Sequence, residues 1–124
     1  MSLSKILFSL AKSPIGDLII GFAFGKASNI LPVNKVLEND FVIAFWHPKP
    51  FWEKHILVVP KKQIKSFIDV SDIDKDYIFA MFSAVREIIQ KLGWEKEGYS
   101  TLINGGERQE VHQLHMHLFK GPEL

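Results

Sequence analysis

Apolar residues return along this chain with two different periods, and the switches between them divide it into elements. Leu3, Ile6, Leu7 and Leu10 recur at i, i+3, i+4 and i+7, which predicts a short helix ending near Lys12. Ser13 and Pro14 then suit the N-cap and first turn of a second helix, with Ile15, Leu18, Ile19 and Phe22 as its stripe. Ile20, Ala23 and Phe24 make this helix apolar nearly all round, so residues 3–26 read as a helical hairpin packed on a sheet or on a second subunit. Period two follows. Residues 35–38 and 41–46 read as strands joined at Asn39-Asp40, 55–59 as a third strand closed by Pro60, and 99–103 as a fourth. Two prolines make 47–53 an ordered loop rich in aromatic side chains. Between the third and fourth strands, Ile73, Tyr77, Ala80, Met81, Ala84, Val85, Ile88, Ile89 and Leu92 keep a 3.6-residue period. Ser71 and Asp74 mark the start of this long helix, and Gly93 its stop.

The fifth strand candidate, residues 109–121, carries the chemistry. Leu114, Met116 and Leu118 fall on one face, and Gln113, His115, His117 and Phe119 on the other, where they are expected to line something open. Three of the five histidines lie within six residues, with His112 at the opposite parity. Spacing alone leaves three readings: solvent-facing histidines, a His-x-His metal chelate, or a histidine nucleophile with a polar neighbour. Asn104-Gly105-Gly106-Glu107 allows positive φ and close backbone approach, but lacks the ending of a P-loop.

Bulk properties narrow these classes. A chain of 124 residues with 47% hydrophobic side chains is one domain with one adequate core. A net charge of +1 gives no electrostatic case for a nucleic-acid polymer, and Lys61, Lys62 and Lys65 read as a solvated edge. Zero cysteines exclude disulfides and thiolate-ligated metals, in keeping with a reducing compartment. The longest uncharged run at the N-terminus, Leu18 to Gly25, falls short of a membrane span, and Pro14, Gly16 and Asp17 interrupt a would-be secretory signal. Interfacial membrane contact through residues 3–26, with Lys5, Lys12 and Lys26 at headgroups, is the alternative to packing.

The stretch Gln109-x-Val111-x-Gln113-x-His115-x-His117-Leu118-Phe119 resembles the signature of the histidine triad (HIT) nucleotide-binding and hydrolase superfamily, with Gln113 in place of the first triad histidine. His55-Ile-Leu-Val-Val-Pro60-Lys61 is similar to the family segment that carries a fourth active-site histidine. His47 stands where an Asp usually meets the ribose hydroxyls. The similarity spans about residues 35–121, giving a 31–124 HIT-like domain behind a 1–30 helical extension. It implies an α+β fold with a five-stranded antiparallel sheet and one long helix, paired as a homodimer, cytoplasmic, and without a cofactor or metal. The implied ligand is a purine nucleotide or nucleotide conjugate. The implied reaction is transfer or hydrolysis at the α-phosphate of a nucleoside phosphoramidate, a nucleoside monophosphate ester or a dinucleoside polyphosphate, through a nucleotidyl-histidine. His115 would be the nucleophile, with His117, Gln113 and His55 catalytic beside it. His47, Asn104, Gln109 and the Val111 backbone would hold sugar and phosphate. Two alternatives stay open: a nucleotide sensor or interaction module with little activity, because Gln113 cannot titrate and His47 is a weaker acceptor, or a His-ligated metal protein.

Overall fold

The computed structural model describes residues 14–23, 33–109 and 111–124. In chain order these form α1 (Pro14–Ala23), β1 (Lys35–Glu38), β2 (Val42–Trp46), β3 (Trp52–Pro60), α2 (Lys75–Leu92), β4 (Ser100–Leu102) and β5 (Met116–Glu123), with three single 3-10 turns between them. All strand pairs are antiparallel, in the spatial order β1-β2-β3-β5-β4. The expected α+β fold with one five-stranded sheet and one long helix is therefore what the chain adopts. The predicted helix at 3–12 lies outside the described residues.

Local chemistry explains the element ends. Asn39 Oδ1 accepts from the N–H groups of Phe41 and Val42, which shapes the β1–β2 turn. The Asp74 carboxylate accepts from the Ser71 N–H ahead of α2, supplying the acidic half of the expected capping arrangement. At the other end Gly93 has φ 73°, its N–H bonds to Gln90 O, and the Trp94 N–H reaches back to Ile89 O. This is a Schellman stop, and only glycine takes that φ without strain.

The pleat divides the core in two. Val42, Ala44, Ile56, Val58, Met116 and Leu118 face α2, where Met81, Ala84, Ile88 and Ile89 close over them. Ile43, Phe45, Leu57 and Val59 face α1, and the predicted stripe Ile15, Leu18, Ile19 and Phe22 is buried against them with Phe51 and Val111. The stripe of α1 is thus committed to the sheet. No helix among the described residues is long and apolar enough to cross a membrane.

Three expectations need correction. The strand predicted over 109–121 begins only at Met116: the Gln113 N–H turns back to Val111 O and the Leu114 N–H bonds to Ile64 O. Its row of polar side chains lines no open surface, for Gln113, His115 and His117 are all buried. The lysines after β3 are not simply solvated either, because Lys61 pairs with Glu38 and Lys62 with Asp74.

Candidate active site

The α1 side of the sheet carries four imidazoles in a chain of contacts. His55 leaves β3 and His117 leaves β5 on that side. Their registers, His55 opposite Phe119 and Leu57 opposite His117, set the two rings diagonally across the strand pair. The diagonal closes to a hydrogen bond of 2.8 Å between His55 Nε2 and His117 Nδ1. His47, in the loop after β2, stacks on His55 with ring centroids 4.4 Å apart. His115 stands just before β5, edge-on to His117 at 5.2 Å.

Hydrogen-bond partners decide where each proton sits. The Phe51 N–H donates to His55 Nδ1 at 3.1 Å, so the proton of neutral His55 is on Nε2 and is given to His117 Nδ1. His117 must then carry its own proton on Nε2, an atom that is buried and has no partner among the described residues. The Lys49 N–H donates to His47 Nδ1 at 3.0 Å, which likewise leaves an Nε2–H, again buried and without a partner among the described residues. His115 is arranged the other way round. Its Nδ1 lies 2.7 Å from the Gln113 carbonyl and can only donate to it, so the lone pair is on Nε2. The same face therefore holds two idle N–H donors and one nitrogen lone pair.

Burial keeps these rings neutral. Desolvation first, and then the charge His115 would carry, pushes His47 down to about 4. Desolvation, followed by repulsion from His47 and His115, takes His55 to about 2. His117 is held well below the ordinary imidazole range by burial and then by the other three rings. Burial also lowers His115, and its bond to the Gln113 carbonyl opposes the shift in part.

The remaining sequence candidates have other surroundings. Gln113 is buried with its side chain fully occupied: Oε1 accepts from the Ile64 N–H, and Nε2 donates to Lys62 O and Leu114 O. It clamps the segment after β3 to the segment before β5, and so holds the carbonyl that orients His115. The Gln109 amide donates to Lys65 O and Val111 O, so its expected role on a phosphate is not the one its N–H groups perform here. Val111 packs its side chain in the α1-side core, and Asn104 is buried beyond the end of β4. His112 is exposed. Sequence reasoning missed the Phe51 and Lys49 N–H groups, which set two of the tautomers. It also missed the Trp52–Phe119 stack, with centroids 3.8 Å apart, that walls the His55–His117 pair. Backbone donors leave no residue signature. Among the described residues no group of three or more His, Cys, Asp or Glu side chains could hold a metal ion, so the chelate alternative has no site there.

The chain is similar in sequence and fold to known proteins. Residues 29–124 match the family model of the HIT domain. An uncharacterized HIT-like protein of Helicobacter pylori (strain ATCC 700392 / 26695) is 36% identical over 93 residues, 73% of this chain and 86% of that one. The purine nucleoside phosphoramidase of Escherichia coli (strain K12) is 31% identical over 96 residues, 76% of this chain and 81% of the enzyme. Among solved structures, a histidine triad protein from Clostridium difficile superposes with a TM-score of 0.72 at 35% identity, covering 87% of this chain and 93% of its own.

Proposed function

The chain belongs to the HIT domain family, and on that premise we propose that it is a hydrolase or nucleotidyl transferase acting at the α-phosphate of a purine nucleotide conjugate, with His115 as nucleophile. The observation that carries this reading is the opposed protonation of neighbouring rings: a lone pair on His115 Nε2 beside an unpartnered N–H on His117 Nε2. A nucleophile and a donor for a phosphoryl oxygen are what in-line displacement requires. The phosphoramidase activity of the Escherichia coli relative supports a phosphorus–nitrogen bond as one substrate class.

In the first step His115 Nε2 bonds to phosphorus while the bond to the leaving group breaks. The departing amine or alkoxide takes the bonding pair and a proton from solvent. The His115 ring becomes positive, and its Nδ1–H···O bond to Gln113 becomes charge-assisted. His117 donates to a non-bridging oxygen, and His55 holds His117 in the tautomer that can do so. Water then attacks phosphorus, the N–P bond returns its pair to His115, and the water's proton goes to solvent. Gln113 acts here through the backbone it clamps rather than by proton transfer.

Pairing into a homodimer is part of the proposal. It is supported by the free edge of β4 next to an exposed apolar surface on α2, where Phe79 and Phe82 are 70% and 61% exposed. Acid-quenched and alkali-quenched reactions with a radiolabelled nucleoside phosphoramidate test the chemistry. An alkali-stable, acid-labile nucleotidyl adduct mapping to His115 is expected, and turnover without any such adduct would overturn the mechanism.

A further inference from the structure

The protonation of the His55–His117 pair depends on Phe51, and Phe51 is held on both sides. Its N–H donates to His55 Nδ1 at 3.1 Å, while its carbonyl accepts from the Leu124 N–H at 2.9 Å. Leu124 follows β5, so the far end of that strand anchors the residue that aims the rings. Reaching Phe51 takes an irregularity in the ladder. Lys54 lies opposite Lys120 and Trp52 opposite Glu123, which leaves Glu53 on β3 facing both Gly121 and Pro122 on β5. This is a β-bulge with its extra residue on β5, and Pro122, which has no N–H to give, is tolerated there. Gly121 takes φ 83°, and a Cβ on it would stand 2.8 Å from the Glu53 Cβ. At Gly98 and Gly106, which also have positive φ, the same atom would meet nothing within 4 Å. Glycine is thus required twice at position 121, for its backbone conformation and for its missing side chain.

We propose that Gly121 is a positioning residue for the reaction: the bulge it permits carries the Leu124 N–H to the Phe51 carbonyl, and Phe51 then fixes the tautomers of His55 and His117. The bonds run from Leu124 N–H to Phe51 O, from Phe51 N–H to His55 Nδ1, and from His55 Nε2–H to His117 Nδ1. If the first is lost, the Phe51 N–H is free to turn away and His55 Nδ1 can take up the proton. His117 Nδ1 then loses its donor, and the Nε2–H of His117 is no longer selected. The kinetic half of this inference rests on the nucleotide reading above, whereas the tautomer half stands on the bonds alone.

Long-range proton–nitrogen NMR of the ligand-free protein reads the tautomers, and steady-state kinetics with a nucleoside phosphoramidate reads the chemistry. Wild type should show His55 and His117 both protonated at Nε2. Gly121→Asn tolerates positive φ but introduces the clash, so both rings should become tautomer mixtures and kcat should fall about 10-fold with KM within about twofold. Relieving the clash from the other side, by adding Glu53→Gly to that variant, should return both readouts toward wild type. Leu124→Pro deletes the N–H and should produce the same tautomer change with kcat about 2- to 10-fold lower. Leu124→Ala keeps the N–H and should match wild type, and this pair decides the matter if Gly121→Asn does not fold. Wild-type tautomers in folded Gly121→Asn or in Leu124→Pro, like behaviour of Leu124→Pro and Leu124→Ala, or a Gly121→Asn defect unmoved by Glu53→Gly would overturn the inference and leave the nucleotide reading intact. Tautomers that shift as expected in a protein whose wild type turns over no nucleotide conjugate would uphold the inference for the rings and overturn the nucleotide reading.

Discussion

The two faces of one sheet are built to different rules. On the α2 face, β3 and β5 present Ile56, Val58, Met116 and Leu118 to Met81, Ala84 and Ile88, all apolar and all buried. On the α1 face the same strands present Leu57 beside His55 and His117, so apolar packing is interrupted by imidazoles whose polar atoms must be bonded or left idle. The first face gains free energy from area, about 1.5–3 kcal/mol for each large side chain buried, and asks little of orientation. The second depends on orientation, since a single reversed tautomer would remove either the lone pair on His115 Nε2 or the N–H on His117 Nε2. Stability and chemistry are thus separable by parity along a single strand.

That separation can be broken first where the effect is largest. His115→Ala should reduce turnover by about three orders of magnitude or more and abolish the covalent adduct, while shifting the unfolding midpoint only slightly. Steady-state kinetics alongside urea denaturation checks both halves, and activity surviving the substitution would end the proposed mechanism. On the opposite face, Ile88→Ala should cost about 2–5 kcal/mol of folding stability and leave kcat of the folded fraction within a few-fold. A large loss of kcat in a protein still fully folded would show that the faces are coupled.

Gln113 sits on the boundary between the two regimes. Gln113→Ala should leave the Ile64 N–H and Lys62 O unpaired, costing about 1–3 kcal/mol, and should lower kcat more than it raises KM because His115 loses its fixed carbonyl. Gln113→His should not rescue this loss, for an imidazole cannot accept from Ile64 while donating to both Lys62 and Leu114. Wild-type rates in Gln113→His would refute the clamp.

The smallest expected effect is a slope. His47, His55, His115 and His117 all have folded pKa values below the ordinary imidazole value, so the unfolded chain binds protons that the folded chain refuses. Their contribution to stability is complete above pH 6.5 and is lost as the pH falls, continuing for His47 down to about 4. Each ring contributes up to ~1.4 kcal/mol per pH unit within its window. Urea midpoints should therefore fall steadily below pH 6.5, and kcat/KM of the folded protein should not drop there as an ordinary imidazole would require. A stability flat from pH 7 to 5 would show that these rings do not stay neutral in the fold.

Much of this was legible in the residues. The stripe of α1, the periodicity of α2 from Tyr77 to its stop at Gly93, and the parity of Leu114, Met116 and Leu118 each follow from one repeat meeting one apolar surface, whereas Ile73, expected in the helix stripe, sits in the turn ahead of α2 and is exposed. The alternation around His115 also suggested a continuous strand, and there the pattern misled. Alternation reports which way side chains face, whereas a strand needs a neighbour, and at 111–115 the bonds go to the Val111 carbonyl and to the segment after β3. Protonation was hidden for a related reason. It is fixed by the N–H groups of Phe51 and Lys49, and every residue type but proline offers the same group.

The order in which the chain can assemble follows from the strand arrangement. β3 and β5 are neighbours, yet α2 and β4 lie between them in sequence, and the His55–His117 bond joins residues 62 positions apart. Closing a loop of that length costs about 3–4 kcal/mol in chain entropy, so this pairing is among the most expensive contacts to form early. The β1–β2–β3 meander is local and can form early, but the four imidazoles come together only when β5 docks beside β3. The contacts that fix the His55 and His117 tautomers thus depend on the slowest pairing of the sheet, and a chain in which β3 and β5 have not met has no means of holding those rings in register.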